Sequence, residues 1–426
     1  MIQEIKVKNY LSFRDEATFS FEATEDTFAE DCQVVQIDEK TRLLRFAIIY
    51  GYNASGKSNL LEVFNFLSDF WRYTPEESEK GTKVIPFKLD NDSPNSPSCF
   101  KLAFYVNTVK YLYHLELDTK QVYLEKLSYY KEEMPIMLFE RSLNNEGLSV
   151  IEFGTDNSIG NSFKELITGH CLKNMSFFAA RDKVNVSLPL IDAAKEWMKT
   201  QIIPAIDQNT DLSSIAESMA SKNQSFNEYI TDFLKDADFN ITKIYSKKTA
   251  QKIPNALVEF FIMNENITDT EKKRIQDEKV YEFNRTIFEH TVENKNGKET
   301  YSLEKKEQSN GTIHTFGLEA KLYELINYKS VLTIDEIETS LHPDLQEKIL
   351  YEYLKNHSRT QLIITTHNND FLDLTDDLIR KDSIWFIEKD KSGNSDLYKL
   401  VDFKGIEKIN SLRTAYRYKR FGATMK

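Results

Sequence analysis

Alternating apolar and polar positions characterise much of the first 130 residues, and they predict strands. Phe19 and Phe21 alternate with polar neighbours near the start of the chain. Three later stretches repeat this pattern, namely Phe100, Leu102, Phe104 and Val106, then Tyr111, Tyr113, Leu115 and Leu117, then Val122, Leu124 and Leu127. A period of two is typical of a half-buried strand, and the short polar connections at 107–110 and 118–120 favour an antiparallel meander.

From about residue 187 to residue 240 the pattern becomes helical. Two amphipathic faces follow a period near 3.6 residues: Leu190, Ala193, Ala194, Trp197 and Met198, then Phe226, Tyr229, Ile230 and Phe233. No heptad is sustained over several repeats, so the sequence predicts no long coiled-coil arm. Strand-like stretches return at Ala256–Met263, Val280–Phe288 and Tyr301–Leu303.

The last third of the chain has an alternating strand and helix rhythm. Val331–Ile334 is an apolar run, Pro343 marks the start of a helix, and Leu362–Thr365 is the next apolar run. The segments Ile384–Ile387 and Leu397–Phe403 flank a polar turn and predict a hairpin. Strand–helix–strand order implies a parallel sheet, in which ligands bind outside the carboxyl ends of the strands.

Composition narrows the class of protein. The 426 residues are 40% hydrophobic and carry a formal net charge of −12, which gives no overall attraction to nucleic acid. The sequence lacks both an apolar run of membrane-spanning length and a signal-peptide pattern, so we expect a cytoplasmic protein without a membrane partner. Three scattered cysteines predict reduced thiols and no metal cluster: Cys32, Cys99 and Cys171.

A basic, aromatic segment lies close to the end of the sequence. It contains Arg413, Tyr416, Arg417, Tyr418, Lys419 and Arg420. We interpret it first as a solvated helix end, while contact with a nucleic acid or a partner protein stays an open alternative.

The stretch Gly51–Ser58 fits a phosphate-binding loop, with two glycines separated by four residues and followed by Lys and Ser. An apolar run ending at Ile49 precedes it, and apolar positions at helical spacing follow it. A glycine loop between a strand and a helix directs backbone N–H groups and the positive end of the helix dipole at one anion. Gly51 and Gly56 allow close approach, Lys57 can reach the β- and γ-phosphates, and the Ser58 hydroxyl can ligate Mg²⁺.

Polar residues also follow the two strands of the last third. Asp335 and Glu336 come directly after one strand, and His367 closes the next. A carboxylate at such a position can hold Mg²⁺, and its neighbour can orient or deprotonate the attacking water. We expect Asp335 to serve the metal, Glu336 to serve catalysis, and His367 to contact the γ-phosphate.

Taken together, these motifs resemble those of ABC-type ATPases. The resemblance rests on Asp335-Glu-Ile-Glu-Thr-Ser-Leu-His342, on the Thr-Thr-His ending at His367, and on Ser309-Asn-Gly311 before a helix. More narrowly, the chain is similar to the SMC-like and OLD-like ATPases of bacterial anti-phage defence, and within them to the RloA/AbiL type. That group has an asparagine inside the loop, here Asn53, and the similarity covers nearly the whole chain.

The resemblance implies a fold and a mechanism. The fold would be an α/β ABC-type ATPase head with a mixed or parallel sheet, an antiparallel β-subdomain and a helical insertion. Two heads would sandwich two ATP molecules with Mg²⁺, so that Ser309 and Gly311 face the phosphate loop of the opposite subunit. Asn53 and Asn59 would join the loop residues in binding the nucleotide. The chain would then divide into an N-terminal ATPase lobe at 1–186, a helical and β insertion at 187–300, and a C-terminal lobe at 301–426.

Several positions depart from the family pattern. The transporter signature reads Leu-Ser-Gly-Gly-Gln, whereas this chain has Gln-Ser-Asn-Gly at 308–311. His342 replaces an aspartate that is common after the paired acids. Gln121 is a candidate for the Mg²⁺-sensing glutamine, and the nuclease domain of OLD proteins is missing from this sequence.

We therefore predict a slow, partner-regulated ATPase that closes as a homodimer, with higher oligomers left open. The resemblance implies that it controls a separate effector protein, a nuclease or a toxin, in anti-phage defence. Two alternatives stay open at this point. One is a DNA-repair or DNA-binding ATPase of the SMC type, and the other is a nucleotide sensor with little turnover.

Overall fold

The computed structural model describes residues 1–77, 80–154, 160–237, 240–263 and 268–424. The chain divides into two compact units. The first comprises Met1–Thr210, Glu324–Thr339 and Gln346–Lys426, and the second comprises Asp211–Tyr323 and Ser340–Leu345. Both segments of the second unit interrupt the sequence of the first, so the second unit is an insertion.

A seven-stranded antiparallel sheet occupies much of the first unit, with the strand order β10-β9-β8-β7-β6-β1-β2. Its strands are β1 (Ile2–Lys8), β2 (Ala17–Ser20), β6 (Ser98–Val106), β7 (Val109–Leu117), β8 (Val122–Lys131), β9 (Met134–Leu143) and β10 (Ser149–Phe153). Consecutive strands from β6 to β10 pair with their neighbours, which confirms the predicted meander.

A second, six-stranded sheet in the same unit has the order β11-β15-β16-β5-β17-β18. Its strands are β5 (Phe46–Tyr50), β11 (Ile202–Ile206), β15 (Val331–Ile334), β16 (Gln361–Thr366), β17 (Ile384–Lys389) and β18 (Ser395–Lys399). All neighbours are parallel except β17 and β18, which form the predicted hairpin. A small antiparallel pair, β3 (Val34–Gln36) and β4 (Arg42–Leu44), completes the strands of this unit.

Helices cover these sheets. Those whose bounds lie wholly in the first unit are α1 (Glu30–Gln33), α2 (Lys57–Arg72), α3 (Asn161–His170), α4 (Phe177–Arg181), α5 (Pro189–Thr200) and α12 (Leu412–Arg417). Helix α2 buries one face made of Leu60, Phe64, Leu67 and Trp71. These residues join a single apolar core with the inward side chains of both sheets, for example Phe104 and Ile363.

The second unit combines helices with a three-stranded antiparallel sheet. Its elements are α6 (Leu212–Lys222), α7 (Gln224–Asp236), β12 (Ile241–Lys252), α8 (Asn255–Ile262), α9 (Asp269–Glu278), β13 (Val280–Asn294) and β14 (Gly297–Glu304). Helices α10 (Asn310–Tyr328) and α11 (Pro343–Lys355) each begin in the second unit and end in the first. Phe316 of α10 contacts Phe226 and Phe288, which ties α7, β13 and α10 together.

The predicted fold class is confirmed: an α/β fold with a mixed sheet, an antiparallel β-subdomain and an insertion of helices and strands. One predicted strand is wrong, because Ala256–Met263 overlaps α8. Glu259 is the single polar residue in the run Val258–Phe261. Periodicity alone does not tell whether such a short apolar run forms a strand or a helix.

The predicted boundaries of the two lobes and the insertion also differ from those of the two compact units. Residues 187–210 were expected to begin the insertion, but they belong to the first unit. Trp197 of α5 stacks on Phe104 of the antiparallel sheet, and β11 pairs with β15. Residues 301–323, expected in the C-terminal lobe, belong to the second unit.

A buried ion pair links the antiparallel sheet to the start of α4. Arg141 of β9 and Glu125 of β8 are 3.2 Å apart, and both side chains are fully buried. Glu125 also accepts hydrogen bonds from the Tyr113 hydroxyl, the Ser176 hydroxyl and the Phe177 N–H. Every charged atom of this pair therefore has a partner, as burial of a charge requires.

Among the described residues, no helix combines the length and the apolarity that crossing a membrane requires.

Candidate functional site

Three neighbouring parallel strands end at the same edge of the mixed sheet, and a polar motif follows each. The loop Gly51–Ser58 follows β5, Asp335 and Glu336 follow β15, and His367 follows β16. Because β15, β16 and β5 lie side by side, these motifs converge. All of them belong to the first unit.

Gly56 occupies a position that excludes a side chain. Its φ is +118°, and an added Cβ would lie 2.4 Å from the Ser395 hydroxyl oxygen and 2.8 Å from that of Ser12. An added Cβ at Gly51 would lie 2.6 Å from the Ile387 carbonyl oxygen. These close approaches fix the loop against β17 and β18, and the first residues of α2, Lys57 and Ser58, line a cavity.

Lys57 is buried, with 5% of its surface exposed. Its ammonium donates to the Gly51 carbonyl at 2.9 Å and lies 3.1 Å from Nε2 of His367. Burial lowers the pKa of Lys57, and the carboxylates of Asp335, Glu336 and Glu338 oppose that shift. A desolvated ammonium at the base of a glycine loop is a strong binding group for a phosphate.

Asp335 and Ser58 form an oxygen-donor pair. The Ser58 hydroxyl donates to Oδ2 of Asp335 at 2.6 Å, and the Thr365 hydroxyl donates to Oδ1 at 2.5 Å. Hydroxyl and carboxylate oxygens beside a phosphate site are the ligands that Mg²⁺ prefers, together with water and phosphate oxygens. The donor set therefore fits Mg²⁺.

Glu336 presents its carboxylate to the same space. Its φ is 49°, a left-handed conformation that costs a non-glycine residue roughly 1–3 kcal/mol. The Thr365 hydroxyl oxygen accepts the Glu336 N–H at 2.9 Å and so holds this conformation. The carboxylate lies 3.5 Å from Nε2 of His367 and accepts a hydrogen bond from Gln208 at 2.5 Å.

Glu338 holds His367 in place. Its Oε1 accepts the backbone N–H of His367 at 2.6 Å, and its Oε2 accepts the Thr366 hydroxyl at 2.8 Å. The imidazole is thereby kept between Lys57 and Glu336. Glu338 is a positioning residue for the histidine.

Five of the residues described above, namely Gly56, Lys57, Ser58, Glu336 and His367, line a cavity of about 350 Å³. Its lining residues are Asn53, Ala54, Ser55, Gly56, Lys57, Ser58, Asn59, Glu336, His367 and Lys389. A neighbouring cavity of about 300 Å³ shares Asn59 and Lys389 with it, and adds apolar walls from Leu11, Ile85 and Leu89. A charged cradle beside an apolar recess suits a ligand with a phosphate end and a planar, less polar end.

Ser309 and Gly311 lie in the second unit, at the start of α10. The Ser309 hydroxyl accepts the N–H of Thr312 at 3.1 Å, so Ser309 caps the helix. An added Cβ at Gly311 would lie 3.4 Å from the Ser340 carbonyl, which shows that the first turn runs close to that segment.

The other residues singled out in the sequence do not line the cavity described above. Gln121 lies in the turn between β7 and β8, where its N–H donates to Asp118. His342 is exposed beside Asp344. In the basic C-terminal segment Arg413 pairs with Asp370 and Asp373, while Tyr416 is buried, so this segment is a helix end anchored to the chain.

Sequence reasoning missed four residues at the site: Gln208, Glu338, Thr365 and Lys389. Lys389 ends β17 at the same edge as the other motifs, so the rule used for His367 would have found it. Gln208 follows β11, whose place beside β15 is known only from the sheet pairing.

Comparison with known proteins shows the family to which the chain belongs. A family model described as "AAA domain, putative AbiEii toxin, Type IV TA system" matches residues 46–153 and 207–373, more than half of the chain. The matched ranges include every cavity-lining residue named above except Lys389 and the residues before 46. No curated protein matches the chain.

Solved structures are also similar. The SMC head domain from Thermotoga maritima is 13% identical, with 93% of this chain and 98% of that chain covered and a TM-score of 0.40. The SmcHead bound to the C-winged helix domain of ScpA is 12% identical, with coverage of 98% and 99% and a TM-score of 0.43.

Proposed function

The chain belongs to the AAA domain family described by that model, and on this premise we propose that it binds ATP with Mg²⁺ and hydrolyses it slowly. The observation that carries the proposal is the convergence of Lys57, Ser58 and Glu336 on one cavity, with Asp335 hydrogen-bonded to Ser58. Phosphoryl transfer requires positioning and charge neutralisation above all, and these side chains supply both.

Each side chain has a role in this scheme. Lys57 and the N–H groups at the start of α2 bind the β- and γ-phosphates, with Asn53 and Asn59 at the rim. Ser58 and Asp335 would hold the metal ion, which would neutralise phosphate charge. Glu336 orients and deprotonates the attacking water, and His367 contacts the γ-phosphate. Gln208, rather than Gln121, would serve as the glutamine of the site, because its amide donates a hydrogen bond to Glu336.

We further propose that two copies close around two nucleotides, as in ABC-type heads. Ser309 and Gly311 would then face the phosphate loop of the other copy. The start of α10 supports this, since the first N–H groups of a helix have no partner within the helix and the Ser309 side chain caps only that of Thr312. The closed dimer would hold or release a separate effector, a nuclease or a toxin, during phage infection. The family description names a type IV toxin–antitoxin system, which is in keeping with a role beside a second protein, and the RloA/AbiL subtype is part of this proposal.

A mixing experiment tests the shared site. Lys57→Ala removes the ammonium that is proposed to bind the phosphates. Gly311→Glu places a negative charge at the proposed γ-phosphate contact. Each variant alone should lack turnover, but a mixed dimer contains one intact site. With random pairing in an equal mixture, turnover should return to about a quarter of the wild-type value, because half of the dimers have one working site of two.

Two controls make this result specific. Lys404→Ala changes an exposed lysine of the same unit and should leave turnover unchanged. If the mixture of Lys57→Ala and Gly311→Glu stays inactive although wild-type protein hydrolyses ATP, the site is complete within one chain and the sandwich is wrong.

A further inference from the structure

Strand pairing in the antiparallel sheet assembles a group of potential metal ligands far from the phosphate loop in sequence. Cys99 of β6 lies directly opposite Glu116 of β7, and His114 is two residues before Glu116 on the same face. Nε2 of His114 is 3.4 Å from Sγ of Cys99 and 3.0 Å from Oε1 of Glu116. The three ligand atoms all lie within 4.8 Å of one another.

We propose that Cys99, His114 and Glu116 bind a divalent transition-metal ion of the Zn²⁺ class. Thiolate, imidazole and carboxylate are the ligand types that zinc accepts, at distances of about 2.3, 2.0 and 2.1 Å. Ligand atoms at the corners of a tetrahedron with such bonds are about 3.3–3.6 Å apart. The two separations from His114 Nε2, 3.4 Å to Cys99 and 3.0 Å to Glu116, are close to that spacing, and the separation between Cys99 and Glu116 is at most 4.8 Å, which side-chain rotation can shorten.

The surroundings leave a fourth position for water. All three side chains are half-buried on the outward face of the sheet, whereas Phe100, Leu115 and Leu117 point into the core. An open fourth position with three protein ligands is the arrangement of zinc sites that keep an exchangeable water.

Nearby charges do not occupy the site. Lys101, opposite His114, pairs with Glu16 at 3.3 Å, and Lys126 on the other side pairs with Glu140 at 2.7 Å. The bound thiolate and carboxylate carry two negative charges, which match a divalent cation. A sulfur ligand favours zinc or a similar soft ion over Mg²⁺ and Ca²⁺, which prefer oxygen alone.

This group is separate from the nucleotide site. Among the residues that the structure describes, it is the one cluster of three His, Cys, Asp or Glu side chains with ligand atoms this close. The proposed magnesium ligands, Ser58 and Asp335, offer oxygen only. A thiolate signal therefore distinguishes metal bound at Cys99 from metal bound beside the phosphate loop.

Cobalt(II) is the probe for the first experiment, because its tetrahedral thiolate complexes absorb in the visible and near-ultraviolet. Adding Co²⁺ to chelator-treated full-length protein should give a thiolate-to-cobalt band at a ratio of one ion per chain, and excess Zn²⁺ should remove it. Cys99→Ser should abolish the band, while Cys32→Ser, which changes another half-buried thiol, should keep it. The absence of the band in wild-type protein, or its persistence in Cys99→Ser, would overturn the proposal.

A second measurement keeps Cys99 in place and so avoids the question of folding. In a Cys32→Ser background, Zn²⁺ should slow alkylation of Cys99 by at least about tenfold, since a metal-bound thiolate is blocked. Adding His114→Ala should remove most of that protection. Alkylation at the same rate with and without Zn²⁺ would contradict a bound metal, whatever the cobalt spectrum shows.

Discussion

Two groups of charged side chains in the first unit show how differently a fold can use carboxylates. Glu125 is fully buried, pairs with Arg141 and accepts three further hydrogen bonds. Glu336 has about a third of its side chain exposed, lies 3.5 Å from His367 and borders a cavity. The first group is closed by protein atoms, and the second is left open on one side.

The difference teaches which charges serve the fold and which serve a ligand. A buried carboxylate with all of its partners fixed cannot exchange them for a substrate without a large cost. A carboxylate at a strand end, with a strained backbone and an open side, can accept water or metal. Changes in the closed group should therefore act on stability, and changes in the open group on turnover.

Breaking the closed group should have the largest effect on stability. Arg141→Met removes the cation but leaves Glu125 buried without a counter-charge, which should lower the free energy of unfolding by about 3–5 kcal/mol. Urea denaturation measures this change. Lys126→Met in β8 breaks a half-exposed pair with Glu140 and should cost no more than about 1 kcal/mol. Equal losses in the two variants would contradict the contrast between a closed and an open environment.

A smaller effect is expected from a threonine that supports the open group. The Thr365 hydroxyl binds both Asp335 and the Glu336 N–H, so Thr365→Val removes two hydrogen bonds and should lower ATP turnover by at least about tenfold, which corresponds to about 1.4 kcal/mol. Steady-state hydrolysis at saturating ATP measures it.

Thr333→Val is the matched control for that prediction. Thr333 lies on the neighbouring strand β15, is fully buried, and its hydroxyl lacks a hydrogen-bond partner among the described residues. The same substitution there should leave turnover unchanged and the stability equal or higher. Equal losses of turnover at both positions would show that Thr365 acts through packing alone.

The smallest effect concerns pH. Burial lowers the pKa of Lys57, so the ammonium loses its proton at a lower pH than the ordinary lysine value of 10.5. Its attraction for phosphate is complete below the lowered pKa and is lost as the pH rises through it. ATP affinity, followed by fluorescence titration, should therefore decline before pH 10.5 is reached.

Folding linkage for Lys57 has the opposite sign. Because burial disfavours the charged form, the unfavourable contribution of the buried ammonium to stability is present at neutral pH, and it is relieved as the pH rises from the lowered pKa to 10.5.

Lys57→Arg is the control for the pH dependence of ATP affinity. The arginine keeps its charge throughout this pH range, so the ATP affinity of the variant should not show the decline. A wild-type affinity that stays constant up to pH 10.5 would contradict a desolvated ammonium at the site.

Local patterns predicted much of this architecture. The strand, glycine loop and helix around Gly51–Ser58 are contiguous in sequence, and the acids and the histidine follow strands whose apolar runs are evident. The roles of Thr365 and Gln208 could not be predicted in this way, because they depend on which strands are neighbours. The same holds for Cys99 and His114, which only the pairing of β6 with β7 brings together.

The central claim is that the Glu336 carboxylate acts as the base in ATP hydrolysis, and one measurement tests this role most directly. Glu336→Gln keeps the shape of the side chain and its contact with Gln208, but removes the base. The variant should bind ATP within a few-fold of the wild-type affinity while its turnover falls by at least about a hundredfold, the usual contribution of a general base. Glu352→Gln, an exposed position on α11, should match wild type. Equal turnover in Glu336→Gln and wild-type protein would contradict the proposed catalytic role of this carboxylate.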